Sequence, residues 1–168
     1  MCWLGFSAHS TRAAVEALKA FPFDTVMFPI SLADYYLRDF GRDVLEAAAA
    51  RDAAVLAIKP MSMGAWPKDA THTRNWWYRT METQDEVSLA LRFSLSLQGV
   101  IAGIPPSFVE LLDKAIAAGV AYQPATTEDK DQLRRLAQNC ESLFLREDEK
   151  GDSIGLNHRG PFVEHPYG

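Results

Sequence analysis

Short apolar runs alternate along the chain with longer segments whose apolar residues recur at helical spacing. The runs are almost continuously apolar, and a helical pattern follows each of them. Such runs are typical of parallel strands that are buried on both faces of a sheet. The pattern therefore predicts an α/β fold of four successive β-α units, with one further helix after the last. The predicted strands cover residues 3–7, 23–29, 54–60 and 99–105.

Capping residues predict where the first helices begin. Ser10 has the position of an N-cap, and the second helical segment is expected to break near Gly41. Thr83 and Glu86 have the spacing of a capping box at the start of a strongly amphipathic helix.

The second half of the pattern predicts two further helices. Ser107 and Glu110 have the spacing of another capping box, and Gly119 is a suitable end for that helix. A last helix is predicted from Thr127 to Leu145. Residues 61–82 form a long segment without clear periodicity, and such loops are often functional.

Composition narrows the class of protein. The 168 residues are 48% hydrophobic and carry a net charge of -5, which disfavours a general nucleic-acid binder. No apolar run is long enough to span a bilayer, and no signal-peptide pattern is present. Cys2 and Cys140 have no metal-ligand spacing, so we expect reduced thiols in a cytoplasmic protein.

Ser7 and His9 lie between the first predicted strand and its helix, and a nucleophilic serine is one interpretation. The nucleophile elbow requires G-x-S-x-G, whereas Ala8 and His9 follow Ser7 here. Two alternatives are hydrogen bonding within the turn and ligand contact at the carboxyl end of a parallel strand, where binding residues collect.

Lys59 is expected at the end of the third strand. A buried lysine at such a position can act as a base or form a Schiff base, because burial lowers its pKa. The alternative is that its side chain extends to solvent or pairs with a carboxylate.

The turn at residues 103–107 joins the fourth strand to a helix whose first N–H groups can bind a phosphate. Gly103 would allow close approach of a ligand, and Ser107 offers a hydroxyl. The P-loop pattern is absent, and many capped β-α turns look similar.

The stretch RNWWYRT is aromatic and basic, which could favour stacking of nucleic-acid bases. A single such cluster in an acidic chain favours instead a loop packed over the strand ends. His72, His158 and His165 have no regular ligand spacing, so no metal site is predicted.

Four stretches and the spacing between them resemble the aldo/keto reductase family: LGFSAHS, FDTVMFPIS, VLEAAAARDAAVLAIKPM and ALRFSLSLQGVIAGIPPS. The resemblance implies the C-terminal half of a TIM-barrel type (β/α)8 fold, from its fifth to its eighth strand. It covers residues 1–145 and leaves 146–168 as a flexible extension. The RNWWY stretch resembles a branch of predicted bacterial reductases in this family.

The resemblance also implies roles for residues on the cofactor side. Ser7 matches the serine that contacts the nicotinamide carboxamide. Ala8 and Met27 replace the usual Asn and Gln, and Ile58 replaces an aromatic residue that often stacks on the ring. Lys59 begins a Lys-Pro pair that occurs in some branches. The replacements weaken the implied nicotinamide contacts.

The phosphate-binding turn of the family matches Gly103, Ile104, Pro105 and Ser107. Leu112 and Lys114 stand where Arg and Asn often follow. The implied cofactor is NADP, with NAD as the alternative. The catalytic Asp, Tyr, Lys and His of the family fall outside the matched half, so no catalytic residue is assigned and the chain alone is expected to be inactive.

The implied function is that of the C-terminal portion of an NADP-dependent oxidoreductase, which transfers hydride to a carbonyl. The implied partners are a nicotinamide cofactor and a small carbonyl substrate, without nucleic acid or membrane. One alternative is a non-catalytic half-barrel that binds a phosphate ligand or serves in assembly, forming a homodimer through its open strand edges. Another alternative is an unrelated small α/β binding module.

Overall fold

The structure is a computed structural model, and it describes residues 2–144. Within these residues, strands and helices alternate in the predicted order. The elements are β1 (Gly5–Ser7), α1 (Thr11–Ala20), β2 (Thr25–Pro29), α2 (Leu32–Arg38), α3 (Arg42–Ala49), β3 (Ala54–Ile58), α4 (Gln84–Leu95), β4 (Val100–Ile104), α5 (Val109–Val120) and α6 (Thr127–Ala137).

The four strands form one parallel sheet in the order β1-β2-β3-β4. Parallel neighbours need a crossover connection, and at least one helix lies between each pair of consecutive strands. The α/β prediction of four β-α units is confirmed. Strands β1 and β4 are the edges of the sheet as described.

The two faces of the sheet differ in burial. Side chains alternate across a strand, and Val26, Phe28 and Val55 are fully buried on the face that packs against the helices. Met27 and Leu56 alternate with them on the opposite face and are only partly buried. The expectation that both faces are buried is therefore wrong for the described residues, because no helix of residues 2–144 covers the second face.

Local hydrogen bonds confirm three predicted boundaries. The Ser10 hydroxyl accepts from the Ala13 N–H at 3.4 Å and caps α1. Gly41, with φ of 92°, precedes α3 and separates it from α2. Thr83 Oγ1 accepts from the Glu86 N–H at 3.3 Å, and Glu86 Oε2 accepts from the Thr83 N–H at 3.0 Å, which completes the capping box.

The expected capping box at the start of α5 is wrong. The N-cap is Phe108, which makes no side-chain cap, and Ser107 lies one residue too early. The Glu110 carboxylate binds the guanidinium of Arg74 instead. Gly119 does not end α5 either, because it lies inside the helix without a positive φ.

The last helix begins at Thr127 as expected but ends at Ala137, short of Leu145. The N–H groups of Gln138 to Cys140 still bond to carbonyls of α6 in a final turn, whereas those of Leu143 and Phe144 bind a distant side chain and so cannot continue the helix. The predicted flexible extension, residues 146–168, lies outside the described residues.

The segment after α6 is tied to α2 by the carboxylate of Asp34, which is fully buried. Its Oδ1 accepts from the Ser142 hydroxyl at 2.5 Å. The same oxygen accepts from the backbone N–H groups of Leu143 at 3.0 Å and Phe144 at 3.2 Å. Its Oδ2 accepts from the Ser31 hydroxyl at 2.6 Å. One side chain therefore joins parts of the chain that are more than a hundred residues apart.

Two sequence expectations concern thiols and membranes. Cys2 is exposed, Cys140 is buried, and both are free thiols, as expected. Among residues 2–144, no helix has the length and apolar character needed to cross a membrane.

Replacing Asp34 by Ala should lower the free energy of unfolding by about 3 kcal/mol, because it leaves buried donors without their acceptor. Urea unfolding followed by circular dichroism measures this change. Asp131→Ala is the matched control, since that carboxylate is exposed and pairs with Arg134 in the same helix. Equal stability of the two variants would contradict the role given to Asp34.

Candidate functional site

The carboxyl ends of the four strands meet at one edge of the sheet because the strands are parallel. Ser7 pairs with Met27, Met27 with Leu56, and Leu56 with Ala102, so these residues form one row across the partly buried face. The structure therefore brings two of the predicted cofactor residues, Ser7 and Met27, together in adjacent strands.

The next row toward the edge contains Ile58 of β3 and Ile104 of β4, which pair with each other. A register shift after Val55 leaves Ile101 without a partner in β3, and its side chain is 64% exposed. Ile104 is 38% exposed. In the described residues, the outer strand β4 is therefore apolar and accessible.

Lys59 follows Ile58 and leaves the strand in a left-handed conformation with φ of 58°. This conformation is uncommon for a residue with a side chain, and it is held by the turn in which the Ser62 N–H donates to the Lys59 carbonyl at 3.0 Å. The turn directs the amine back toward β1, where Lys59 Nζ lies 3.2 Å from His9 Nε2.

The pair consists of two bases whose charged forms are both disfavoured. Burial, and then the positive charge of Lys59, lower the pKa of His9 to about 4. Burial lowers the pKa of Lys59 to about 8. At neutral pH the imidazole is therefore uncharged and accepts a hydrogen bond from the amine through Nε2, while its proton is on Nδ1.

Two aromatic rings form the walls around the amine. Lys59 Nζ lies 5.4 Å from the ring centroid of Trp77 and 5.6 Å from that of Phe144. The Phe144 ring stacks on Phe40 at 5.1 Å, and its backbone N–H is bound by Asp34. The network around Asp34 therefore also positions one wall of this site.

The β4-α5 turn contains the residues that were predicted to bind a phosphate. The structure gives a packing reason for the glycine in this turn. A side chain at Gly103 would meet Leu91 of α4 at 3.3 Å and Pro60 at 3.6 Å. A side chain here would press on the helix layer, so packing is a second reason for glycine at this position. Close approach of a ligand to Gly103 stays a prediction. Ser107 is exposed at the start of α5.

Arg74 of the long loop is a residue that the sequence analysis did not assign to the phosphate turn. Its Nη2 lies 2.7 Å from a carboxylate oxygen of Glu82, its Nη1 binds Glu110 of α5, and its guanidinium lies 4.7 Å from the centre of the Phe108 ring. The Arg74 contact is the first cause of the lowered pKa of both carboxyl groups. The sequence signal for the contact between Arg74 and Glu110 is a basic residue in the long loop together with an acidic residue in the first turn of a helix.

The structure bears on two interpretations of the residues that follow β1 and β3. His9 Nε2 lies 3.2 Å from Lys59 Nζ, so this nitrogen faces the amine, and the nucleophilic serine stays an untested interpretation. Lys59 has no ion pair with any carboxylate of residues 2–144, which disagrees with the paired-lysine alternative.

The aromatic stretch packs the long loop, as the sequence analysis favoured. Trp66 Nε1 donates to the Trp76 carbonyl at 2.8 Å, and the His72 ring stacks on Trp66 at 4.2 Å. In the described part of the chain, no three His, Cys, Asp or Glu side chains are placed to bind a metal ion. His158 and His165 lie outside the described residues.

Comparison with known proteins identifies similar folds. No family model and no curated protein matches the chain. Among solved structures, it is similar to the holo form of aldo-keto reductase AKR11C1 from Bacillus halodurans, with a TM-score of 0.54 and 18% identity over 80% of this chain and 49% of that one. The apo form matches with a TM-score of 0.53, 18% identity, and coverage of 80% and 50%.

The chain thus spans about half the length of the structures that it matches. At this level of identity the likeness concerns the fold, and the resemblance noted in the sequence agrees with it. The four β-α units therefore have the fold of about half of an aldo-keto reductase TIM barrel.

Proposed function

We propose that the chain is the cofactor-side, C-terminal half of an NADP-dependent oxidoreductase barrel that transfers hydride to a small carbonyl substrate. The observation that carries this proposal is the shared strand edge, where Ser7 of β1 and the turn from Gly103 to Ser107 lie at the ends of parallel strands. Ligands bind at this edge in parallel α/β folds. The free thiols Cys2 and Cys140 support the cytoplasm as the expected compartment.

The phosphate end of the proposed site has a basic residue within reach. Phosphate groups bind at helix N-termini because the first N–H groups point outward and the helix dipole favours negative charge. Arg74 binds the Glu110 carboxylate at the start of α5. A bound phosphate would compete with the Glu110 carboxylate for that guanidinium. An arginine side chain binds either a carboxylate or a phosphate through two parallel N–H···O hydrogen bonds.

The nicotinamide end of the proposed site is weaker. Ser7 is exposed and offers one hydroxyl, whereas Met27 offers only a weakly accepting sulfur and Ile58 has no polar side-chain atom for a carboxamide. Lys114, which stands near a usual adenine-side position, is engaged with the Glu82 carbonyl. We therefore propose that the phosphate and adenosine end contributes most of the affinity.

NADP and 2′-phosphoadenosine ligands should bind with comparable, weak affinity and shift the amide resonances of residues 103–107. Ser107→Glu should weaken binding at least tenfold, because unit charges of like sign at ~4 Å repel by about 4 kcal/mol near a protein surface. NMR titration measures both effects. Gln138→Glu adds the same charge at the exposed end of α6 and should leave binding unchanged. Shifts around Ser7 and Trp77 with a silent turn would contradict the assignment.

The 168-residue chain by itself should not reduce carbonyls. The resemblance to aldo/keto reductases implies that the proton donor belongs to the half of the barrel that this chain does not match. Loss of a general acid lowers reaction rates by about 10²–10⁴-fold. NADPH consumption with a panel of aldehydes tests this, with a complete aldo/keto reductase as the positive control. Turnover that is lost in Ser7→Ala or Lys59→Met would show that the chemistry lies in this chain.

Assembly is a second candidate function, favoured by the apolar edge of the sheet. Ile101 and Ile104 are exposed on β4, and α5, the next helix along the chain, carries an exposed apolar stripe. Edge strands of this kind pair readily with other strands. Two copies could join β4 of each to β1 of the other, which gives eight parallel strands, the number in a closed barrel. The stripe consists of Val109, Leu112, Ile116 and Val120.

The purified chain should therefore form dimers at micromolar concentration, as measured by light scattering. Ile101→Lys should shift the population toward monomer, because it places a charge on the edge of β4. Leu37→Lys is the matched control, since Leu37 is also exposed but lies on α2. A monodisperse wild-type monomer would count against pairing through the strand edges.

A further inference from the structure

Lys59 and His9 form a cluster that the cofactor proposal does not use. The two side chains come from the ends of β3 and β1 and meet at 3.2 Å on the accessible edge of the sheet. Both residues are half-buried, so neither is sealed inside the core. Within residues 2–144 this lysine contacts a histidine and has no acidic partner. Such a pair is unusual as a purely structural feature, because buried ammonium groups are normally paired with carboxylates.

We propose that Lys59 Nζ is a nucleophilic amine that condenses reversibly with small aldehydes or ketones to form an imine at the carboxyl ends of β1 and β3. The carbonyl compounds favoured are those with an apolar or aromatic body. The rings of Trp77 and Phe144 lie on two sides of the amine and supply contact surface for such a body. The proposal does not depend on cofactor binding.

The reaction needs no oxidant or reductant. The lone pair of the uncharged amine attacks the carbonyl carbon, a C–N bond forms, and the carbonyl oxygen takes up a proton to give a carbinolamine. The amine nitrogen loses a proton to solvent. The hydroxyl group then takes up a second proton from solvent and leaves as water while the nitrogen lone pair forms the C=N bond. The resulting iminium nitrogen gives its remaining proton to solvent, which leaves the neutral imine. Hydrolysis reverses these steps, so amine and carbonyl compound are recovered unchanged.

His9 acts in this scheme as a positioning residue. Its uncharged imidazole accepts an N–H from the amine, which holds Lys59 Nζ at a defined place on the edge. The backbone turn at Lys59 and the Phe144 ring, fixed by Asp34, restrict the same side chain from two other directions. A restrained amine loses less conformational entropy when it forms the covalent bond.

The charge state of the site supports a reactive amine near neutral pH. With a pKa of about 8, roughly one Lys59 amine in ten is uncharged at pH 7, whereas an ordinary lysine is uncharged in fewer than about one in a thousand. His9 is the titratable side chain that contacts the Lys59 amine. The other segments beside this amine contribute the uncharged rings of Trp77 and Phe144. Asp34 lies behind Phe144 and is occupied by four hydrogen bonds.

The test uses the full chain without cofactor, with benzaldehyde as the probe and sodium cyanoborohydride to trap the imine. Peptide mapping by mass spectrometry then reports the labelling rate of each lysine. At pH 7 we expect Lys59 to be labelled at least tenfold faster than Lys19, Lys68 and Lys130. The α-amino group also titrates near pH 8, and its peptide is scored separately.

The pH profile separates a reactive amine from a merely accessible one. Labelling of Lys59 should rise with pH and reach half its maximum near pH 8, below the pH at which an ordinary lysine amine loses its proton. His9→Asn should slow labelling of Lys59 several-fold without altering the circular dichroism spectrum. Lys130→Arg is the matched control for Lys59→Arg, because Lys130 is exposed on α6.

Loss of the major adduct in Lys59→Arg, and its retention in Lys130→Arg, would support the proposal. Equal labelling of all lysines in the wild-type chain, or a Lys59 profile that matches the other lysines, would overturn it, and both readouts are independent of whether the variants fold. A chain that fails to bind NADP but labels at Lys59 would overturn the cofactor proposal alone.

Discussion

Because the four strands pair in parallel, their carboxyl ends lie side by side at one end of the sheet. The candidate functional residues lie at or near these carboxyl ends. Ser7 and Met27 pair in one row across adjacent strands, and Ile104 pairs with Ile58 in the next row toward the carboxyl ends. The helices that parallel pairing requires cover one face of the sheet. Within residues 2–144, the opposite face is only partly buried, and β1 and β4 are the outer strands of the sheet.

A single buried carboxylate links this sheet to the site that forms on it. Asp34 satisfies the hydrogen-bond donors of the segment after α6 and so places Phe144 beside the amine of Lys59. A buried acceptor with four donors is costly to remove, because the donors would remain in the core without partners. The same contact therefore contributes to stability and to the shape of the candidate site.

The two ends of the site have different chemistry. At the β4-α5 turn, the charge of Arg74 is balanced by Glu82 and Glu110, and an anion would have to exchange with a carboxylate. At the β1 and β3 ends, an uncharged His9 and an amine of lowered pKa lie between aromatic rings. The phosphate of a nucleotide is the ligand that we propose for the first end, and a carbonyl compound is the one that we propose for the second.

The sequence by itself determined those features that depend on neighbours along the chain. The order of strands and helices, the Ser10 cap and the capping box of Thr83 and Glu86 follow from periodicity and from contacts three residues apart. The row that joins Ser7 to Met27 could also be expected, because parallel strands that follow one another usually pair.

Tertiary contacts decided the rest, because competing partners came from distant parts of the chain. Glu110 had the spacing of a capping residue, but Arg74, 36 residues away, binds its carboxylate. The last helix stops early, and the segment after it binds Asp34 across more than a hundred residues. The contact between Lys59 and His9 spans 50 residues, and their lowered pKa values arise first from burial. Burial is a property of the folded chain, so no local pattern of residues could reveal it.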